Sequence, residues 1–227
     1  MMKPILCFFI KPSDRSYQWL RCSRSGPCPS MGGDYSYHSA LNRVEDGVIS
    51  AEDKARGILG GHGDMTPFAE DTRWPAQCSC GLAFEKKDRE LFWEVIYQDD
   101  KGGEYHLHLS ELPGGPVRAP AGAMWDASWW RGSDGKKDKF TGADGICLYV
   151  RCPSDPSGEG PDISDWFIDG PSISSGSNPA WSRKGTVPRV TVKPSIFIAP
   201  SRPGFHGWLH RGFIRHVNDA DPQQDDL

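Results

Sequence analysis

The sequence predicts a mainly β protein, an α+β fold with few short helices. The expected architecture is an antiparallel sheet or sandwich with an irregular N-terminal third. Three observations predict it. From Trp74 to His216, short runs rich in aromatic and β-branched residues recur between turn signals. Gly (26) and Pro (19) are plentiful, so turns are frequent and helices few. Nine Trp and ten Phe supply large buried areas from few residues.

At 227 residues the chain is long enough to bury a core without staples. The expected organisation is a single domain over 1–217, with residues 1–73 packed on a β-rich unit of 74–217. The ending, residues 218–227, is acidic and poor in apolar residues, the composition of a disordered tail. "MMKPILCFFIKPSD" opens the chain. Its apolar run, Ile5 to Ile10, is too short for the h-region of a signal peptide and is followed by Pro12 and Asp14, so it reads as a buried first strand. No stretch approaches the ~18 apolar residues of a membrane span. A cytoplasmic protein that does not engage a membrane is the expectation. The net charge of −4 offers no electrostatic basis for non-specific nucleic-acid binding.

Within the first 73 residues, "SAEDKARGIL" reads as one helix, with Ser50 as N-cap and Asp53 three residues on. A helical turn over Asp14 to Leu20 is a second expectation. The β pattern then takes over. "LFWEVIYQ" and "EYHLHLSEL" flank the turn signal "DDKGG" and predict a hairpin. "GICLYVRC" and "DISDWFIDG" predict a strand pair around a Pro/Gly loop. "PRVTVKPSIFIA" and "HGWLHRGFIRHV" complete the series.

Seven cysteines, an odd number, favour thiols or metal ligands over a disulfide framework. In "WPAQCSCGLAF" two cysteines stand one residue apart before a glycine, which permits a tight turn. The candidate ligands are Cys22, Cys28, His38, Cys78, Cys80 and His206. A structural zinc site takes four nitrogen or sulfur ligands in a tetrahedron. Cys28 of "GPCP" and His38 of "SYHSA" are the most economical partners for Cys78 and Cys80. The irregular N-terminal third gains most from such a staple, because metal binding contributes directly to folding free energy. The plainer alternative is that these cysteines are small buried hydrophobes, the preferred reading for Cys7 and Cys147.

His106 and His108 share one face of "EYHLHL". A half-exposed polar face is the preferred account, and a pair of metal ligands is the alternative. His206 lies among small residues at a strand start, and His210 and His216 read as solvent-side. Asp126, Asp165 and Asp169 stand near tryptophans, as carboxylates do in carbohydrate sites, although a β core explains the tryptophans more simply. "GGHGD" is only loosely like a glycine-rich anion loop. In "PAGAMWDASWW", alternation places Trp125 and Trp129 on one face and Trp130 on the other. Trp130 is therefore the candidate for a partner surface, although burial of all three tryptophans is the preferred account, since large aromatics are mostly buried. No P-loop, dinucleotide fingerprint, zincin helix, nucleophile elbow or kinase set occurs.

The ordered set "PILCFFIKPSDR", "GPCP", "YHSA", "RWPAQCSCGLAF", "PAGAMWDASWW", "DWFIDGPSISSGSN", "VTVKPSI" and "FHGWLHRG" resembles a family of uncharacterised proteins of bacteriophages and prophages. The resemblance spans about Pro4 to His216. The C-terminal "PSI…HGWLHRG" part also resembles small, putatively metal-binding bacterial proteins encoded beside ubiquitin-like conjugation genes. The resemblance implies that Cys28, His38, Cys78 and Cys80 act as one group, and it points to His206. Family members commonly carry a Cys shortly before the "SI" element, where this chain has "VTVKPSI", so a second site built on that Cys is not implied here. The expected function is that of a zinc-stabilised phage or prophage accessory protein in the host cytoplasm or the virion, acting by binding a protein partner. A zinc-dependent hydrolase with an open metal position is the alternative.

Overall fold

The structure, a computed structural model, describes residues 3–31, 37–49, 60–108, 115–127, 141–153, 163–169, 181–198 and 205–217. It is mainly β. In chain order the strands are β1 (Ile5–Leu6), β2 (Phe8–Phe9), β3 (Lys11–Ser25), β4 (Tyr37–Val48), β5 (Gly60–His62), β6 (Arg89–Gln98), β7 (Glu104–His106) and β8 (Val117–Arg118). There follow β9 (Ala123–Asp126), β10 (Leu148–Pro153), β11 (Ile163–Phe167), β12 (Ser182–Lys184), β13 (Thr191–Lys193), β14 (Ile196–Ile198), β15 (Phe205–His210) and β16 (Phe213–His216). Among the described residues the helical elements are three single 3₁₀ turns, Pro29–Met31, Thr66–Phe68 and Lys86–Asp88. No described helix is long and apolar enough to cross a membrane. The segment read as a helix from Ser50, the acidic ending, Trp129 and Trp130 lie outside the described residues.

The chain divides into two compact units. The hairpin unit comprises Pro12–Ile96 with Glu111–Val117; the sandwich unit comprises Met1–Lys11, Tyr97–Ser110 and Arg118–Leu227.

In the hairpin unit, β3 lies between β4 and β6, and β5 adds to β6. β3 and β4 pair antiparallel from Arg15↔Val48 to Ser25↔Tyr37, with a register shift between Tyr17 and Trp19. Two expectations are corrected here. The N-terminal third is not irregular: it holds the two longest described strands. The segment Asp14 to Leu20 is strand, not helical turn. Tyr17 and Trp19 alternate onto one face with Phe92 and Ile96, at ring separations of 5.4 Å (Tyr17–Trp19) and 5.8 Å (Trp19–Phe92). Leu20 and Cys22 turn to the other face and pack with Trp74 and Leu91. Arginines between the apolar positions masked this period of two. They are absorbed by the sheet itself: Arg43 lies over Tyr17, and Arg21 lies over Phe92 and bonds Glu90.

In the sandwich unit, one sheet has the order β11-β10-β9-β2 and another β1-β16-β15-β14. Both face one core, with Met124, Leu148, Val150 and Cys152 from the first and Ile196, Phe205, Leu209 and Ile214 from the second. The apolar run at the start of the chain, expected as one strand, is split at Cys7. β1 joins β16, whereas β2 pairs parallel with β9. The two strand-pair expectations hold, and β15 and β16 form a further hairpin. Tyr97↔Tyr105 pairs across the "DDKGG" turn, where Asp99 Oδ1 accepts the backbone N–H groups of Lys101 (2.9 Å) and Gly103 (2.8 Å). β10 pairs with β11 over five residues. β15 and β16 turn through Arg211 (φ 49°) and Gly212 (φ 80°), two left-handed residues whose twist suits a two-residue hairpin loop.

Candidate metal centre

Four side chains meet at the closed end of the β3–β4 hairpin. The pairing Arg24↔His38 places His38 on the last turn of the ladder. Just beyond β3, Gly26 (φ 141°) passes close to the imidazole; a Cβ there would sit 3.7 Å from His38 Nε2. Cys28 follows, between Pro27 and Pro29. The other two ligands come from residues 77–83, closed by a Gln77↔Ala83 bridge and by Cys78 N–H donating to the Leu82 carbonyl at 2.8 Å. Gly81 turns the chain at φ 91°, the geometry expected of the Cys-x-Cys-Gly stretch.

Cys28, His38, Cys78 and Cys80 offer one ligand atom each, and these four atoms lie within 4.8 Å of one another. Cys28 Sγ is 3.7 Å from Cys78 Sγ, and His38 Nδ1 is 3.2 Å from Cys80 Sγ. Tetrahedral thiolates at a metal–sulfur distance of about 2.3 Å stand about 3.8 Å apart, so the spacing is that of a shared ion. This group could hold a metal ion. Cys28, His38 and Cys78 are buried, with Cys80 toward solvent.

The surroundings favour thiolate at Cys78. The Cys80 backbone amide bonded to Cys78, helped by His38, Cys28 and Ser79, pulls the Cys78 thiol down to about 5. Ser30 Oγ lies 3.1 Å from Cys28 Sγ and 2.7 Å from Ser79 Oγ, which ties the two ligand-bearing segments together outside the ligand set. Beside the site Arg24 bonds Asp88 Oδ2 through both Nε and Nη2, and the same carboxylate accepts the Glu85 backbone N–H at 2.7 Å. The Arg24 hydrogen bond holds the Asp88 carboxyl below its usual range. Neither serine nor this clamp carried a motif. Only the hairpin register brings them to the site.

No protein-family model, curated protein or solved structure matches this chain.

The remaining candidate ligands lie elsewhere. Cys22 is fully buried against Leu20, Trp74 and Leu91, outside the group. His106 is not on a half-exposed face: it is fully buried, and neither ring nitrogen has a hydrogen-bond partner. Burial, with His108, Arg151 and Arg118 nearby, pulls its pKa down to about 4. His108 lies past the end of β7 and is exposed, so the two histidines do not form one ligand pair on a strand. His206 Nε2 is 3.1 Å from Ser195 Oγ, with Phe197 edge-on at 5.3 Å. Among the described residues His106, His108 and His206 belong to no group of three or more metal-binding side chains. His210 is buried, not solvent-side.

The three aspartates near tryptophans serve the fold. Asp165 pairs with the buried Arg151 at 2.6 Å, Asp169 accepts from Arg183 and the Leu148 N–H, and Asp126 accepts the Cys147 N–H. Trp125 is buried as expected, with Tyr149 stacked on it at 5.7 Å. Cys7 and Cys147 are core residues, also as expected.

Proposed function

We infer that the chain is a zinc-stabilised accessory protein of a phage or prophage that works in the bacterial cytoplasm by binding a protein partner. The observation that carries the metal part is the ligand count. Three thiolates and one imidazole complete a tetrahedron, and that donor set suits zinc. A catalytic zinc keeps one position for water or substrate, so a hydrolase at this centre would have to surrender one of four ligands. Two serines that are not ligands, Ser30 beside Cys28 and Ser79 between Cys78 and Cys80, bond each other and brace the ligand set, as expected of a site built to hold shape. The phage setting is supported by the ordered motifs from Pro4 to His216.

Elemental analysis of protein purified without added metal tests the reading. One zinc per chain, lost in Cys78→Ser, is the expected result. Metal-free protein with unchanged melting would end it. Appearance of the chain on prophage induction in a lysogenic host checks the biological setting, and constitutive synthesis independent of induction would count against it.

A further inference from the structure

At the open end of the β3–β4 hairpin, on the same face as the metal group, the hairpin unit holds a cleft of about 460 Å³. That volume lies within the range of small-ligand sites. Its apolar lining includes Trp93, Phe68 and Leu91; its polar lining is Ser16, Gln18 and Asp64. Among the described residues no lysine, arginine or histidine lines it.

Glycines shape it. Gly61 and Gly63 alternate onto the face of Trp93 and Leu91, through the Gly61↔Trp93 pairing and the Gly63 N–H bond to the Leu91 carbonyl. A Cβ on Gly63 would stand 2.7 Å from Leu91 Cδ2, and one on Gly61 3.6 Å from Trp93 Nε1. A Cβ on Gly47 would stand 2.9 Å from both Gln18 Nε2 and Ser16 Oγ. Gly63 therefore leaves space for Leu91, a Cβ on Gly61 would stand in ordinary contact with Trp93, and Gly47 leaves space for the polar wall.

The polar groups are unspent. Neither the Gln18 carboxamide, the Ser16 hydroxyl nor the Trp93 indole N–H has a hydrogen-bond partner among the described residues. Asp64 Oδ1 is held by the Thr66 N–H at 2.9 Å and its hydroxyl at 2.6 Å, while Oδ2 has no such partner. The carboxylate, with no cation beside it among the described lining residues, repels anions. An organic cation would use Asp64 and the aromatic walls, yet would leave the Gln18, Ser16 and Trp93 donors unpaired as the cleft is desolvated. A neutral ligand whose hydroxyls both donate and accept satisfies all four groups, and an apolar ring face meets the indole.

We propose that this cleft binds a neutral polyhydroxylated ring, a pyranose unit of a glycan, with Trp93 as the stacking wall and Gln18, Ser16 and Asp64 as the hydroxyl partners. The proposal goes beyond the zinc reading and does not rest on it. The test uses the full, metal-replete chain. The probes are the methyl pyranosides of glucose, galactose, mannose and N-acetylglucosamine, with choline as a cationic comparison. Saturation-transfer NMR and tryptophan fluorescence give the readout.

Millimolar binding of at least one pyranoside is expected, weakened at least ~10-fold by Gln18→Ala and by Trp93→Ala, the scale for one lost polar or stacking partner. Gln18→Ala alters a half-buried, unbonded side chain, so its melting and zinc content should match the parent chain. Choline binding with the pyranosides silent would overturn the proposal. So would silence of every probe, or pyranoside binding indifferent to both substitutions.

Discussion

Cys78→Ser removes one thiolate from a centre that closes two long loops. Cys28 and Cys78 are 50 residues apart in sequence and 3.7 Å apart at sulfur. Treated as a cross-link, closure of a loop of that length restricts the unfolded chain by about 4 kcal/mol at 25 °C. His38 and Cys80, 42 residues apart, close a second, overlapping loop, whose restriction adds to that figure. The hairpin unit runs from Pro12 to Ile96, and a domain of that size moves its melting temperature by about 4–8 °C per kcal/mol. Loss of the ion should therefore lower its transition by at least about 15–30 °C.

Differential scanning calorimetry with zinc quantified on the same sample is the assay. Cys22→Ala is the control, because Cys22 is buried on the same face but lies outside the ligand group. That variant should keep its zinc and lose on the order of 1–2 kcal/mol of packing. The reasoning is refuted if Cys78→Ser retains full zinc, or loses it while melting no lower than Cys22→Ala.

Two further outcomes follow from the sandwich unit. His106 takes its proton at about 4 when folded and near 6.5 when unfolded, so the unfolded chain binds more protons between those values. Stability should therefore fall as pH drops from about 6.5 to 4, by up to about 3 kcal/mol, and His106→Leu should flatten that slope in urea titrations; an unchanged slope would disprove the assignment. Arg151, fully buried, spends its guanidinium on Asp165, the Ala119 and Leu107 carbonyls and the face of Trp125. Asp165→Asn strands that charge and should cost about 3–5 kcal/mol, whereas a loss below about 1 kcal/mol by denaturant titration would show that solvent reaches the pair.

The sequence was legible where its signals are local. Tyr97/Tyr105, β10/β11 and β15/β16 pair across turns that Gly, Asp and Pro announce, and the Cys-x-Cys-Gly turn is closed by its own backbone bonds. Residues 11–48 were illegible for the opposite reason. Their apolar period is interrupted by arginines whose partners, Glu90 and Asp88, lie more than sixty residues away. Opposite Tyr17 and Trp19 the register shift gives β4 one extra residue, which breaks the alternation of that strand. His106 misled because its neighbours in "EYHLHL" alternate like a solvent-facing strand, while its burial comes from tertiary packing. The cleft had no sequence signature beyond "GGHGD", whose glycines are only loosely like an anion loop. Of these, Gly63 clears space for Leu91.

One face of the β3–β4 hairpin carries both candidate sites. The metal group is at the Arg24↔His38 end and the cleft at the Ser16↔Gly47 end, about 26 Å along the strand at ~3.3 Å per residue. The loop from Gly63 to Phe84 joins them. Its first residues, Gly63 to Phe68, wall the cleft; Phe68 and Trp74 pack on Leu20 and Leu91 in the middle; Cys78 and Cys80 bind at the far end. Metal removal should therefore loosen this loop from one end. After chelation, the amides of Cys78, Gly81 and Phe84, bonded only within the loop, should lose hydrogen-exchange protection. The Gly63 amide, bonded at 2.9 Å to the Leu91 carbonyl of β6, should keep its protection. Uniform loss across both ends would mean instead that the hairpin unit unfolds as a whole without its ion. In that event zinc is a condition of folding for all 85 residues from Pro12 to Ile96 and not a staple for one loop.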